Sequence, residues 1–230
     1  MKIGIIGGNG VAATNRLLDM IERKGTAAGA FRDAHHPEMI VWQATSVPSR
    51  SMFLEGRGQD WRPDYIRIAK SLKGLGCGIG CMCCNTAHYA VDEIAEKFGL
   101  RFINLLEEVA NRVKVIGLEK IVMFCSDGAR KFDIYGAAFK RICPKVELIY
   151  PSETDQALVT KAICGVKTKD RFACAPSTLL QELVARAEAP VVLGCTDLRV
   201  AFPQECKLSE KVVVDSLEYL ADSVVHSHYA

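Results

Sequence analysis

Eight short apolar, β-branched runs alternate with amphipathic stretches along the 230-residue chain, and this alternation constrains its fold more than any other feature. The runs are KIGIIGG (2–8), MIVWQATS (39–46), GIGCMCCN (78–85), RFINLL (101–106), KIVMFCS (120–126), VELIYP (146–151), PVVLGCTD (190–197) and KVVVDS (211–216). Short continuous apolar runs of this kind read as parallel strands buried on both faces. Between them, ATNRLLDMIERKG, RPDYIRIAKSLKGLG, TAHYAVDEIAEKFG and TLLQELVARAE carry apolar residues at helical spacing. Pro63 opens the second of these, and glycines stop the first three, as helix ends require. Strand alternating with helix implies an α/β fold built on parallel sheet.

The strands also repeat as a set. Starts at 2, 39, 78 and 101 have counterparts at 120, 146, 190 and 211, with offsets of 107 to 118 residues. The third strand of each set ends in a polar turn that opens a helix, CCNTAH in one and GCTDL in the other, and Cys84 and Cys195 are 111 residues apart. The expected architecture is two pseudo-symmetric lobes, each a parallel sheet flanked by helices. Open α/β sheets bind ligands beyond the carboxyl ends of their strands. Two such lobes facing each other enclose a cleft with one thiol on each wall.

Composition narrows the function classes. Basic residues number 29 against 27 acidic ones, a net charge of +2, so neither nucleic acid nor an anionic membrane is an expected partner. The opening MKIGIIGGNG is too short in apolar residues for a signal peptide, and no apolar run is long enough to span a bilayer. The chain reads as soluble and cytoplasmic. Thiols stay reduced in that compartment, so its ten cysteines do not imply a disulfide framework.

Two thiols on opposite walls suit inversion of a carbon stereocentre. One thiolate removes the proton and a thiol on the other face delivers another; the return reaction exchanges their roles. Cysteine suits the task because its pKa lies within reach of neutrality. Asn85, Thr86 and Thr196 place polar donors beside Cys84 and Cys195. Cys81 and Cys83 lie inside a strand and read as core. The C-x-C-C cluster lacks the second ligand pair of a structural zinc site, and neither Cys125/Cys143 nor Cys164/Cys174 has metal-ligand spacing. His88 lies about one turn beyond Cys84, placed to support that thiol or to pack its helix.

At this point CNTAH (84–88) with GCTDL (194–198) resembles the aspartate/glutamate racemase family, and its aspartate racemase branch in particular. IGIIGGNGVAAT, VPSR (47–50), ICGVKTKD and VVDSLEYLADSVV resemble further segments of that branch, so the likeness covers nearly the whole chain. The resemblance implies amino-acid racemisation without pyridoxal phosphate or metal, with Cys84 and Cys195 as the two acid/base residues. It implies that Asn85, Thr86 and Thr196 bind the α-amino and α-carboxylate groups. Arg50 and Lys167 would hold the side-chain carboxylate of a small acidic amino acid, aspartate with glutamate as a second candidate. Asn9 and Ser126 complete the expected substrate-binding set. A homodimer is also implied, as is a C-terminal segment that returns to the first lobe, dividing the chain into 1–99 with 212–230 and 100–211. Ser49 stands where the branch has Asp, and Ala129 where it has a hydroxyl.

A second class competes. GNGVAA (8–13) matches the dinucleotide-binding G-x-G-x-x-G/A turn after a strand, the mark of an NAD-dependent oxidoreductase. That reading needs an acidic residue at the end of the second strand, where Thr45 and Ser46 stand instead.

Overall fold

The computed structural model describes residues 1–168, 175–202 and 210–229. The first half of the chain runs β1 (Lys2–Gly7), α1 (Val11–Ala27), β2 (Met39–Gln43), α2 (Arg50–Leu54), α3 (Arg62–Gly74), β3 (Cys77–Met82), α4 (Val91–Phe98), β4 (Arg101–Phe102) and α5 (Leu105–Ile116). The second runs β5 (Lys120–Phe124), α6 (Asp127–Lys131), α7 (Ile134–Ile142), β6 (Glu147–Ile149), α8 (Glu153–Gly165), α9 (Ala175–Arg186), β7 (Val191–Leu193), α10 (Thr196–Val200), β8 (Val212–Asp215) and α11 (Ser216–Tyr229). Two four-stranded sheets result, ordered β2-β1-β3-β4 and β6-β5-β7-β8, and every pairing is parallel. The orders are the same when read from each lobe's first strand, so the repeat of the strand set is a repeat of topology.

All eight expected runs contain a strand, but each strand is shorter than its apolar run. RFINLL pairs over two residues only, because Asn104 caps α5 by accepting a bond from Leu106 N at 3.2 Å. TAHYAVDEIAEKFG divides into a 3-10 helix, Asn85–Ala90, and then α4. Sheet membership also departs from the division expected at 99/100 and 211/212. β4 pairs with β3 in the first sheet, and β8 pairs with β7 in the second. Each fourth strand is the next parallel crossover within its own lobe, and α11 crosses back to pack along α1 and α5.

One apolar core joins the lobes. Ile3, Ile5, Ile79 and Cys81 of the first sheet share a cluster with Ile121, Met123, Val192 and Val214 of the second. Leu17 and Ile21 of α1, Leu106 and Val109 of α5, and Leu220 and Val224 of α11 fill the space between them. The outer faces are covered separately. Trp61, Tyr65, Ile68 and Leu72 cover one, and Val159, Ile163, Leu180 and Leu183 the other. Among the described residues no helix is long and apolar enough to cross a membrane.

A shared core predicts a shared transition. Leu220, fully buried on α11, touches the core common to both lobes. Leu220→Ala should cost about 2–5 kcal/mol. It should lower the urea midpoint of a single transition without splitting it. Both tryptophans, Trp42 and Trp61, lie in the first lobe, so their fluorescence should still coincide with far-UV circular dichroism, which reports on the whole chain.

Candidate active site

The carboxyl ends of β3 and β7 carry the two cysteines to turns that meet: Asn85, next to Cys84, accepts from the backbone N–H of Thr196, next to Cys195, at 3.0 Å. Cys83 N still bonds Ile6 O at 3.0 Å, after which the chain leaves the sheet and Cys84 caps the 3-10 helix in extended conformation. Cys195 caps α10 in the same way. Both helices that follow are short, six residues and five, so neither thiol gains the field of a long helix. As residues Cys84 and Cys195 are partly exposed, whereas Cys81 and Cys83 are buried. Burial pushes the Cys81 thiol up to about 12 and Cys83 well above its ordinary range, so both stay protonated. Among the described residues no group of three or more His, Cys, Asp or Glu side chains is placed to hold a metal ion. Cys174 lies outside the described residues.

Beside the thiols is a cavity of about 430 Å³ whose lining includes Asn9, Gly10, Thr45, Ser49, Arg50, Lys167 and Asp197. A larger cavity of about 560 Å³ lies elsewhere, between α4, α5 and α11. The smaller cavity is lined by the charged residues next to the thiol turns: Arg50, whose charge interacts with Cys84, and Asp197, two residues after Cys195. Arg50 opens α2 and is only 8% exposed. Its guanidinium donates to Pro48 O at 2.7 Å and Asn9 O at 3.2 Å, and it lies close enough to Cys84 to interact with it electrostatically. Burial opposes its charge, but Cys84 and Tyr65 outweigh that penalty and raise its pKa, so Arg50 remains a cation.

Lys167 pairs with Asp197 at 2.9 Å. Burial disfavours the Lys167 charge, and Asp197 more than restores it. Asp197 itself is 4% exposed. Burial raises its pKa against the opposing pull of Lys167 and Arg50. Asp197 in turn acts on Cys195. Burial first, and the Asp197 carboxylate second, push that thiol up to about 12, while Lys167 and the Asp197 backbone N–H pull it down. The two thiols therefore face opposite charge, Cys84 an arginine and Cys195 an aspartate.

The expected polar residues divide into two groups. Asn9 lines the cavity, with its side-chain amide bonded to Tyr65 Oη. Thr86 and Ser126 meet across the lobes, Oγ1 to Oγ at 2.9 Å, and Ser126 also caps α6. Asn85 is 2% exposed and already engaged. Its Oδ1 accepts from Thr196 N at 3.0 Å and its Nδ2 donates to Tyr135 Oη at 2.5 Å. Thr196 is likewise buried. His88 is buried with its ring nitrogens facing Cys84 O at 2.9 Å and Ile103 O at 3.4 Å, and burial lowers its pKa. It holds the backbone of Cys84. Asp197 and Tyr135 were not in the expected set. The charge following the GCT turn is visible in the sequence, but its pairing with Lys167 is not.

The glycine-rich turn after β1 has a packing explanation. Gly8 takes a left-handed backbone, φ +83°, and a side chain there would strike the backbone of Ala44. A methyl group at Gly10 would overlap Asp197 Oδ1, so this glycine lets α10 of the second lobe approach the first. β2 ends at Gln43, whose amide donates to Asn15, and no acid follows to hold a ribose. The oxidoreductase alternative is not supported.

Fold and site together define a protein of paired α/β lobes, each with a cysteine in the turn after its third strand, next to one charged cavity. The chain belongs to the Asp/Glu/hydantoin racemase family, whose model matches residues 3–224. It is similar to the broad specificity amino-acid racemase RacX of Bacillus subtilis (strain 168), with 24% identity over 237 residues covering 99% of this chain and 98% of that protein. Its fold is similar to that of Picrophilus torridus aspartate racemase, with a TM-score of 0.81, 24% identity, and coverage of 99% of this chain and 94% of that one. It is also similar to Thermus thermophilus glutamate racemase in complex with β-chloro-D-alanine, with a TM-score of 0.62, 16% identity, and coverage of 98% and 79%.

The opposed charges around the thiols predict opposed responses. Asp197→Asn removes the negative field at Cys195 and so favours its thiolate. Well below a thiol's pKa, each unit of decrease multiplies the thiolate fraction about tenfold. Iodoacetamide labelling at fixed pH, mapped by mass spectrometry, should therefore be faster at Cys195 in Asp197→Asn than in the parent. Slower labelling would contradict the sign.

Proposed function

We propose that the protein is a cofactor-independent racemase of an acidic amino acid, with aspartate as its preferred substrate. The observation that carries this reading is the charge arrangement of the cavity. Arg50 and Lys167 are two cations and Asp197 is one anion, all lining the same space. An acidic amino acid brings the inverse set, two carboxylates and one α-ammonium. A neutral amino acid, with one carboxylate and one ammonium, would leave the site's net positive charge without a counter-charge. The aspartate racemase of similar fold and the broad specificity relative both fit this class, and the charge arrangement favours the acidic members of the latter's range.

In the proposed reaction, Cys84 as thiolate takes the proton from Cα and Cys195 as thiol delivers one to the opposite face. The electron pair left at Cα spreads into the α-carboxylate, where cationic donors stabilise it as it develops. The α-ammonium, placed against Asp197, would take up the charge that holds the Cys195 proton in place. The reverse reaction uses the same groups with roles exchanged. Asn85 is engaged within the protein, which supports a part in positioning the thiol turns over direct contact with substrate.

The test is incubation of the protein with L- and D-aspartate, and separately glutamate, in heavy water, read by chiral chromatography and deuterium at Cα. Inversion with deuterium incorporation is expected for aspartate, and absence of both with either acid would overturn the reading. Cys84→Ser and Cys195→Ser should each lower kcat by at least about 100-fold, the usual scale for loss of a general acid or base. Cys81→Ser and Cys83→Ser, changed at buried thiols, should keep activity within a few-fold of the parent.

A further inference from the structure

The two thiol turns are tied together by a ring of hydrogen bonds that runs through one buried tyrosine. Tyr135 sits in the first turn of α7 and is fully buried. Its hydroxyl accepts from Asn85 Nδ2 at 2.5 Å and donates to Gly194 O at 3.2 Å. Asn85 Oδ1 then accepts from Thr196 N at 3.0 Å and closes the ring. Asn85 follows Cys84 in the chain, while Gly194 and Thr196 flank Cys195 on both sides. The ring therefore connects the backbone at one thiol to the backbone on either side of the other.

A second observation points the same way. A side chain at Gly194 would strike Met123 Sδ and the Tyr135 ring, so the chain omits one where the phenol approaches. Tyr135 is fully buried and its hydroxyl is engaged on both sides, by Asn85 and by Gly194, so it is placed to act on the turns.

We propose that Tyr135 is a positioning residue: through Asn85 it fixes the separation of the two thiol turns, and with it the coupling of proton removal on one face to delivery on the other. The proposal rests on the two-thiol reading above. Removing a proton needs one sulfur in place, whereas inversion needs both. If the ring is opened, the first thiol still takes the Cα proton. That thiol then returns a proton, or a deuteron gained from solvent, to the same face. Exchange without inversion increases at the expense of racemisation.

The test is Tyr135→Phe, assayed with L-aspartate in heavy water. A displacement of about 1 Å in a reacting group costs on the order of 100-fold. The expected result is an inversion kcat reduced about 10- to 100-fold with KM within about twofold of the parent, and a clear rise in the ratio of deuterium exchange to inversion. Unchanged kcat and ratio would overturn the proposal. So would a raised KM with unchanged kcat, which would make Tyr135 a binding residue. If Tyr135→Phe does not fold, hydrogen exchange on the parent protein decides. Thr196 N–H should be protected as strongly as the amides of β5 and β7, and exchange at loop rates would show that the ring does not hold. Should the parent neither invert nor exchange aspartate, the racemase reading fails while the Thr196 amide still tests the ring.

Discussion

Neither sheet can bury its inner face alone. Ile3, Ile5 and Ile79 need the helices that also cover Ile121, Met123 and Val192, and those helices, α1, α5 and α11, are shared between the lobes. Everything at the cleft depends on this shared core. It sets the carboxyl ends of β3 and β7 against each other, and those ends are where the backbone leaves the ladder and polar turns become available. The contact of Gly10 with Asp197, the Asn85–Thr196 bond and the Thr86–Ser126 pair are all made between elements that the core has already brought together.

A cleft formed this way is partly dry, and dryness gives its charges their effect. Arg50 is buried with backbone carbonyls as partners, and its charge is held near Cys84. Asp197 is buried with Lys167 as counterion, so its field reaches Cys195 with little screening. In water these groups would differ little in their influence on two identical thiols. Here they make the thiols unlike, even though the turns that carry them are related by pseudo-symmetry.

Much of this was legible in the chain because it depends on local pattern. Apolar β-branched runs read as strands whatever surrounds them, and the matched positions of CCNTAH and GCTDL followed from spacing alone. Other features rest on contacts between segments far apart in sequence. RFINLL looked like a full strand, yet the cap at Asn104 diverts it into a helix after two paired residues. TAHYAVDEIAEKFG has helical spacing, but Asn85 and Thr86 spend their side chains on the second lobe, and a tight 3-10 turn forms first. The membership of β4 and β8 in their sheets is a matter of pairing partner, which periodicity does not report. Tyr135 carries no motif at all. It becomes visible only when Asn85 and Gly194 are seen to meet at its hydroxyl. Ser49 shows how a departure from the family pattern can be absorbed locally: its hydroxyl accepts from Met52 N and caps the short helix that Arg50 begins.

The unlike surroundings of the two thiols raise a question of principle under the proposed function, because a racemase must serve mirror-image substrates. Enantiomers have equal free energy in water, so the equilibrium constant between them is one whatever the protein does. A bias that holds the proton on Cys195 cannot shift that equilibrium. It sets which form of the free protein predominates, and so which enantiomer finds the thiols in the right protonation state on arrival. Any gain in kcat/KM for one direction is then matched in the other, since the ratio of the two must equal the equilibrium constant. What the asymmetry can change is the common size of the two kcat/KM values and the division of each into kcat and KM. Arg50 and Asp197 therefore act on both directions together at low substrate and on each separately at saturation. The rate of interconversion at low substrate depends as well on how well both thiols are held at one spacing.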